Sequence, residues 1–136
     1  MQKPSNIQKI AFLGNYLPRK CGIATFTTDL RTAVAQEFPD IECLVIPIND
    51  TKEGYNYPPE VRLEIIEQDL ASYHQAADFL NIKDVDILCV QHEFGIFGGA
   101  DGSHLLTLLH ELRMPIVTTL HTILQNPSYN QNRVML

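Results

Sequence analysis

Short apolar runs recur along this 136-residue chain, and a helical pattern follows most of them. That alternation constrains the fold more than any other feature. Ile10-Ala11-Phe12-Leu13 closes on Gly14, so Ile7 to Gly14 reads as a buried first strand. A loop with proline and glycine, Asn15 to Gly22, comes next. From about Thr25 to Glu37, Phe26, Leu30, Ala33, Val34 and Phe38 fall on one side of a helix that Pro39 stops. Ile41 to Ile48 is a second apolar strand, and Val61, Leu63 and Ile65 alternate with period two in a third, Val61 to Ile66. Ser72 to Ile82 aligns Tyr73, Ala76, Ala77 and Leu80 at helical spacing, with Gln75 three after Ser72 as in a capping box. Asp86 to Val90 is a further strand. A helix over Ser103 to Leu112 then carries Leu105, Leu108, Leu109 and Leu112 on one face. Ile116 to Leu120 is the last strand, and Pro127 opens a final helix running to Leu136.

Strands that alternate with helices form a mostly parallel sheet with helices on both faces, the α/β class. The length suits one domain with a real core, spanning residues 1–136, and no repeat or interdomain linker interrupts it. Arg133-Val134-Met135-Leu136 offers neither a glycine cap nor a polar stop. The last helix therefore reads as cut short, and the domain as incomplete at its carboxyl end. Such a domain would leave apolar surface uncovered there, so self-association is expected.

Charge and composition exclude several roles. A net charge of −6 argues against a nucleic-acid partner, which needs a basic face. No apolar run is long enough to span a membrane, and Met1-Gln2-Lys3-Pro4-Ser5 lacks the apolar core of a signal peptide. Three widely spaced cysteines, Cys21, Cys43 and Cys89, read as reduced thiols of a cytoplasmic protein, with Cys43 and Cys89 buried.

The chemistry concentrates at strand ends. Gln91 to Gly102 holds four glycines between a strand and a helix, together with His92 and Glu93. Such a loop presents backbone and helix-start N–H groups where open α/β sheets bind ligands. Equally, its glycines solve a steric problem in a tight connection. Arg19 and Lys20 stand beside Gly22 just before a helix, where an anionic or polyhydroxyl ligand could be held; the plainer reading is a solvated basic pair. His121 ends a strand among Thr118, Thr119 and Thr122, placed to hydrogen-bond a sugar hydroxyl or simply the backbone. His92 and Glu93 are adjacent and face opposite ways in extended chain, so they do not form a dyad. Ile96 stands where a zinc-protease helix needs its second histidine. There is no Cys-x-x-Cys, and His104 and His110 fall on the exposed side of the leucine helix, so no metal is expected. Neither a dinucleotide fingerprint, a phosphate-binding P-loop nor a nucleophile elbow is present.

Three stretches taken in order resemble the amino-terminal half of a GT-B glycosyltransferase of the large retaining family 4, or group 1. They are Ile10 to Gly14 with Pro18-Arg19-Lys20-Cys21-Gly22-Ile23-Ala24-Thr25-Phe26, then Val90-Gln91-His92-Glu93-Phe94-Gly95-Ile96-Phe97-Gly98-Gly99, then Thr118-Thr119-Leu120-His121-Thr122. The resemblance runs from about Ile7 to the end. It implies a Rossmann-like domain that receives a saccharide or other hydroxyl acceptor. A second such domain holds the nucleotide-diphosphate sugar, the donor substrate, and no cofactor or metal is required. It further implies that His121 borders the transferred sugar as the catalytic candidate. Arg19, Lys20, Gly22, His92, Glu93, Gly98 and Gly99 become the substrate-binding candidates. The basic groups that would hold the leaving diphosphate belong to the second domain, so this chain alone is expected to be inactive. A competing reading is a non-catalytic α/β ligand-binding or interaction module. A flavodoxin-like regulator fits less well, because Gly14-Asn15 stands where an acidic cluster belongs.

Overall fold

The computed structural model describes residues 6–135; the readings on Met1–Ser5 and Leu136 lie outside them. Five strands form one all-parallel sheet in the order β3-β2-β1-β4-β5. They are β1 (Lys9–Gly14), β2 (Glu42–Asn49), β3 (Ile65–Ile66), β4 (Ile87–His92) and β5 (Ile116–Leu120). The helices are α1 (Gly22–Glu37), α2 (Leu70–Ile82), α3 (His104–Glu111) and α4 (Tyr129–Met135). This is a Rossmann-like α/β order, with a switch point between β1 and β4, from which the chain builds outward in both directions.

Both faces of the central strands are buried, as parallel pairing requires. On one face Ala11, Leu13, Leu44, Ile46, Leu88 and Val90 pack against Tyr73, Ala76, Ala77 and Leu80 of α2 and Leu105 and Leu108 of α3. On the other, Phe12, Cys43 and Val45 meet Leu30 and Val34 of α1 and Phe38, which caps its end. Each fully buried Leu, Ile or Phe contributes about 1.5–3 kcal/mol, so the two layers dominate stability. Asp86 pins the entry of β4 to that of β1: one carboxylate oxygen accepts from Gln8 N at 2.7 Å and Lys9 N at 2.9 Å. Those bonds hold the Asp86 carboxyl below its ordinary range.

Several details differ from the sequence reading. The third strand shrinks to Ile65–Ile66, with only an isolated bridge between Val45 and Val61 before it. Helix α2 begins at Leu70, capped by Asp69, whose side chain accepts from Ala71 N at 3.1 Å. Ser72 is therefore no cap. It is buried inside the first turn, and its hydroxyl bonds the backbone of Ile66 and Asp69. Helix α1 starts three residues early, at Gly22. Phe26 is 43% exposed and Ala33 is exposed too, so neither joins the core face. Cys43 is buried, Cys89 only partly, and all three cysteines are free thiols. His110 is exposed, but His104 packs edge-on against Tyr73 at 5.5 Å. Gln91 and His92 belong to β4 rather than to the loop after it. Among the described residues no helix is long and apolar enough to cross a membrane.

Tyr73 ties the glycine loop to the layer beneath. Its hydroxyl donates to Glu67 O at 2.9 Å and accepts from Gly98 N at 3.0 Å, and burial pushes the phenol up to about 12. Tyr73→Phe strands both backbone groups and should cost about 1–3 kcal/mol in urea unfolding. A loss below about 0.5 kcal/mol would contradict this account of the loop.

Candidate functional site

Parallel pairing brings the ends of β1, β4 and β5 to one rim, and with them Gly22, Gly98 and His121. The register then divides the rim between two faces. Gln91 pairs with Thr119 and His92 with Leu120, so successive residues of β4 and β5 point to opposite sides.

The α1 side carries His121, Gln91, Phe26 and Gly22. His121 follows β5 and continues its ladder, its N–H donating to His92 O at 2.9 Å. Its ring Nε2 lies 3.0 Å from Gln91 Oε1. Phe26 meets the ring edge-on at 4.8 Å and 84°. Gly22, at the start of the same helix, is exposed, and a Cβ there would touch nothing within 4 Å. The positive end of a 16-residue helix therefore faces open space. Cys21 caps it, Sγ accepting from Ala24 N and from Asn15 Nδ2, each at 3.3 Å. Arg19 is committed to the scaffold. It donates to Asn15 Oδ1 at 3.0 Å and Ile48 O at 2.8 Å, and pairs with Asp50 at 3.9 Å. Lys20 is exposed. The two adjacent cations thus have different surroundings.

The α3 side carries His92, Glu93, Gly98 and Gly99. His92 is 3% exposed, stacked on Phe97 at 5.9 Å and met edge-on by Phe94 at 4.8 Å. Among the described residues neither ring nitrogen has a hydrogen-bond partner. Burial lowers its pKa from the ordinary 6.5; nearby Glu93 opposes the shift and His121 adds to it. The ring borders a cavity of about 660 Å³ that Leu105, Leu109, Ile116, Leu120 and Arg133 also line. Glu93 caps the Phe94–Ile96 turn, accepting from Gly95 N at 2.8 Å. Gly98 is occupied by the protein itself: a Cβ there would lie 1.9 Å from Glu67 O, and its N–H already bonds Tyr73. Gly99 holds φ +80, and its Cβ would meet the His104 ring at 2.6 Å.

So the structure groups Gly22 with His121 and separates them from His92, Glu93, Gly98 and Gly99. Gln91 and Phe26 join the first group, although sequence reasoning gave them no role there. A glutamine directly after the apolar run Ile87 to Val90 was the available signal for Gln91. Phe26 matched the core face by spacing, and nothing local marked it otherwise. Among the described residues neither His92 nor His121 hydrogen-bonds a hydroxyl, thiol or carboxylate, so no nucleophile–base pair is seen around them there. Among the described residues no cluster of His, Cys, Asp and Glu could hold a metal ion. The α1 side presents an oriented imidazole beside an open helix start.

Burial favours neutral His92 in the folded chain, so its contribution to stability is complete above the ordinary pH of 6.5. It is lost as pH falls from there through the lowered folded-state value, because the unfolded chain binds the proton more tightly. The stability of wild type relative to His92→Leu should therefore fall from pH 7.5 to pH 5 in denaturant titrations. A constant difference would contradict the buried, neutral ring. Gly98→Ala should cost about 2 kcal/mol or more, since the new methyl meets backbone rather than a flexible side chain. Gly22→Ala should stay within about 1 kcal/mol of wild type. Equal costs at the two glycines would overturn the contrast drawn between them.

Compared with known proteins, the chain matches no family model, no curated protein and no solved structure.

Proposed function

We propose that this chain is the acceptor-side domain of a retaining glycosyltransferase, working beside a second domain that holds the nucleotide sugar. One observation carries the reading: His121 and the open start of α1 at Gly22 stand together, joined through Phe26, at the carboxyl rim of a Rossmann-like sheet. An exposed helix start suits a phosphate or a hydroxyl, and an oriented imidazole suits a sugar hydroxyl. His92, Glu93, Gly98 and Gly99 shape the neighbouring loop on the other face, and Lys20 supplies an exposed cation before the helix. The reaction needs preorganised positive groups on the leaving diphosphate. Arg19 is held by Asn15, Ile48 and Asp50, so it is poorly placed to be one of them.

An interaction role has its own support in β5. Ile116 is 36% exposed, Val117 55% and Leu120 44%, unusual for a strand of an all-parallel sheet. We infer that this edge is covered in use by another α/β unit or by a second copy of the chain. The cytoplasmic setting inferred from the free thiols suits either arrangement.

Amide spectra recorded during titration with nucleotide sugars and oligosaccharides should show weak, saturable shifts at Gly22, Phe26 and His121. Shifts confined to other surfaces, or none at millimolar ligand, would contradict the reading. The purified chain should turn over no nucleotide sugar, and measurable turnover would overturn its assignment as one half of a site. Sedimentation velocity should show concentration-dependent association that Val117→Lys reduces; a monomer at every concentration would remove the role given to β5.

A further inference from the structure

Gln91 is the only residue of β4 whose side-chain amide is sealed between the sheet and α1, and it is 1% exposed. Its Oε1 lies 3.0 Å from His121 Nε2, while its own Nε2 is buried with no partner. A residue needed only to fill this space would be apolar, because a buried amide with an unmet N–H is costly. Among the described residues, the one hydrogen bond this side chain makes is to His121. The surroundings are shaped to permit it: a Cβ at Gly14 would lie 2.9 Å from Gln91 Cβ and 3.2 Å from Thr27 Oγ1. Phe26 closes on the imidazole edge-on at 4.8 Å, so both contacts hold the ring plane.

We propose that Gln91 is a positioning residue that fixes His121 as the tautomer protonated on Nε2. With the amide oxygen of Gln91 turned to the ring and its N–H group turned away, the nitrogen facing that oxygen carries the proton, since a carbonyl oxygen only accepts. A neutral imidazole carries one, which leaves Nδ1 as a bare acceptor. Among the described residues Nδ1 has no hydrogen-bond partner. The ligand group that fits it is a donor, such as a hydroxyl, and an anionic oxygen does not fit. His121 therefore reads a hydroxyl, while any anion at this rim is left to the helix start at Gly22. The link to a sugar hydroxyl rests on the proposed function; the tautomer and its cause do not.

Long-range proton–nitrogen correlation spectra of the histidine-labelled chain at pH 8.5 test this directly. The wild type should show His121 with Nδ1 in the bare-nitrogen range and an Nε2–H proton protected enough from solvent to give its own resonance. Gln91→Met, similar in size and without the acceptor, should lose that resonance and average the two nitrogen shifts. Gln91→Glu, which keeps an oxygen at the same reach, should retain the proton on Nε2. A wild-type proton on Nδ1, or a Gln91→Met spectrum identical to wild type, would overturn the proposal. If Gln91→Met does not fold, the wild-type and Gln91→Glu spectra still decide it. Glycan titrations that leave His121 unmoved while its tautomer is fixed would count against the transferase reading alone.

Discussion

The pairing of β1 with β4 is the constraint on which the rest depends. These strands are far apart in sequence, and their register sets Ile10 against Ile87 and Leu13 against Val90. Asp86 holds the entry of that ladder through the Gln8 and Lys9 amides. A side chain in a strand changes face with every residue, so a slip of one position would exchange the two faces of β4. Gln91 would enter the α3 layer and His92 the α1 layer. The hydrophobic pattern opposes the slip, because Leu88 and Val90 would leave the larger core that they fill with α2 and α3. Site geometry and core packing are set by the same register.

This explains how two histidines at one rim acquire different characters. His92 lies between Phe94 and Phe97, shut from water, and burial holds it neutral. His121 lies beyond the end of β5, partly exposed, with one nitrogen anchored by Gln91 and its ring edge held by Phe26. The first is suited to the interior of a loop and the second to meeting a ligand. A similar division applies to the glycines. Gly98 and Gly99 bring backbone against Glu67 and His104, whereas Gly22 leaves space in front of a helix.

Much of the fold was legible because burial on both faces writes itself into a sequence. The apolar runs ending at Gly14, Ile48 and Leu120 and the faces of α2 and α3 follow from period and length alone. What local pattern missed was decided by distant neighbours. Ser72 resembles a cap, but the backbone of Ile66 claims its hydroxyl, and Asp69 caps the helix instead. Phe26 keeps helical spacing with Leu30, yet it lies where the sheet has run out and His121 is its neighbour. The candidate site was legible as strand-end residues, since parallel strands deliver their ends to one rim. How those residues divide between faces was not, because that needed the register, and register is a long-range property.

This register places the two rim histidines on opposite faces, His121 against α1 and His92 against the glycine loop. Proton–proton Overhauser contacts between aromatic rings measure that placement. Contacts are expected from the Phe26 ring to His121 and from the Phe97 ring to His92. Contacts from Phe26 to His92, with none to His121, would mean that the register, and the site built on it, is wrong.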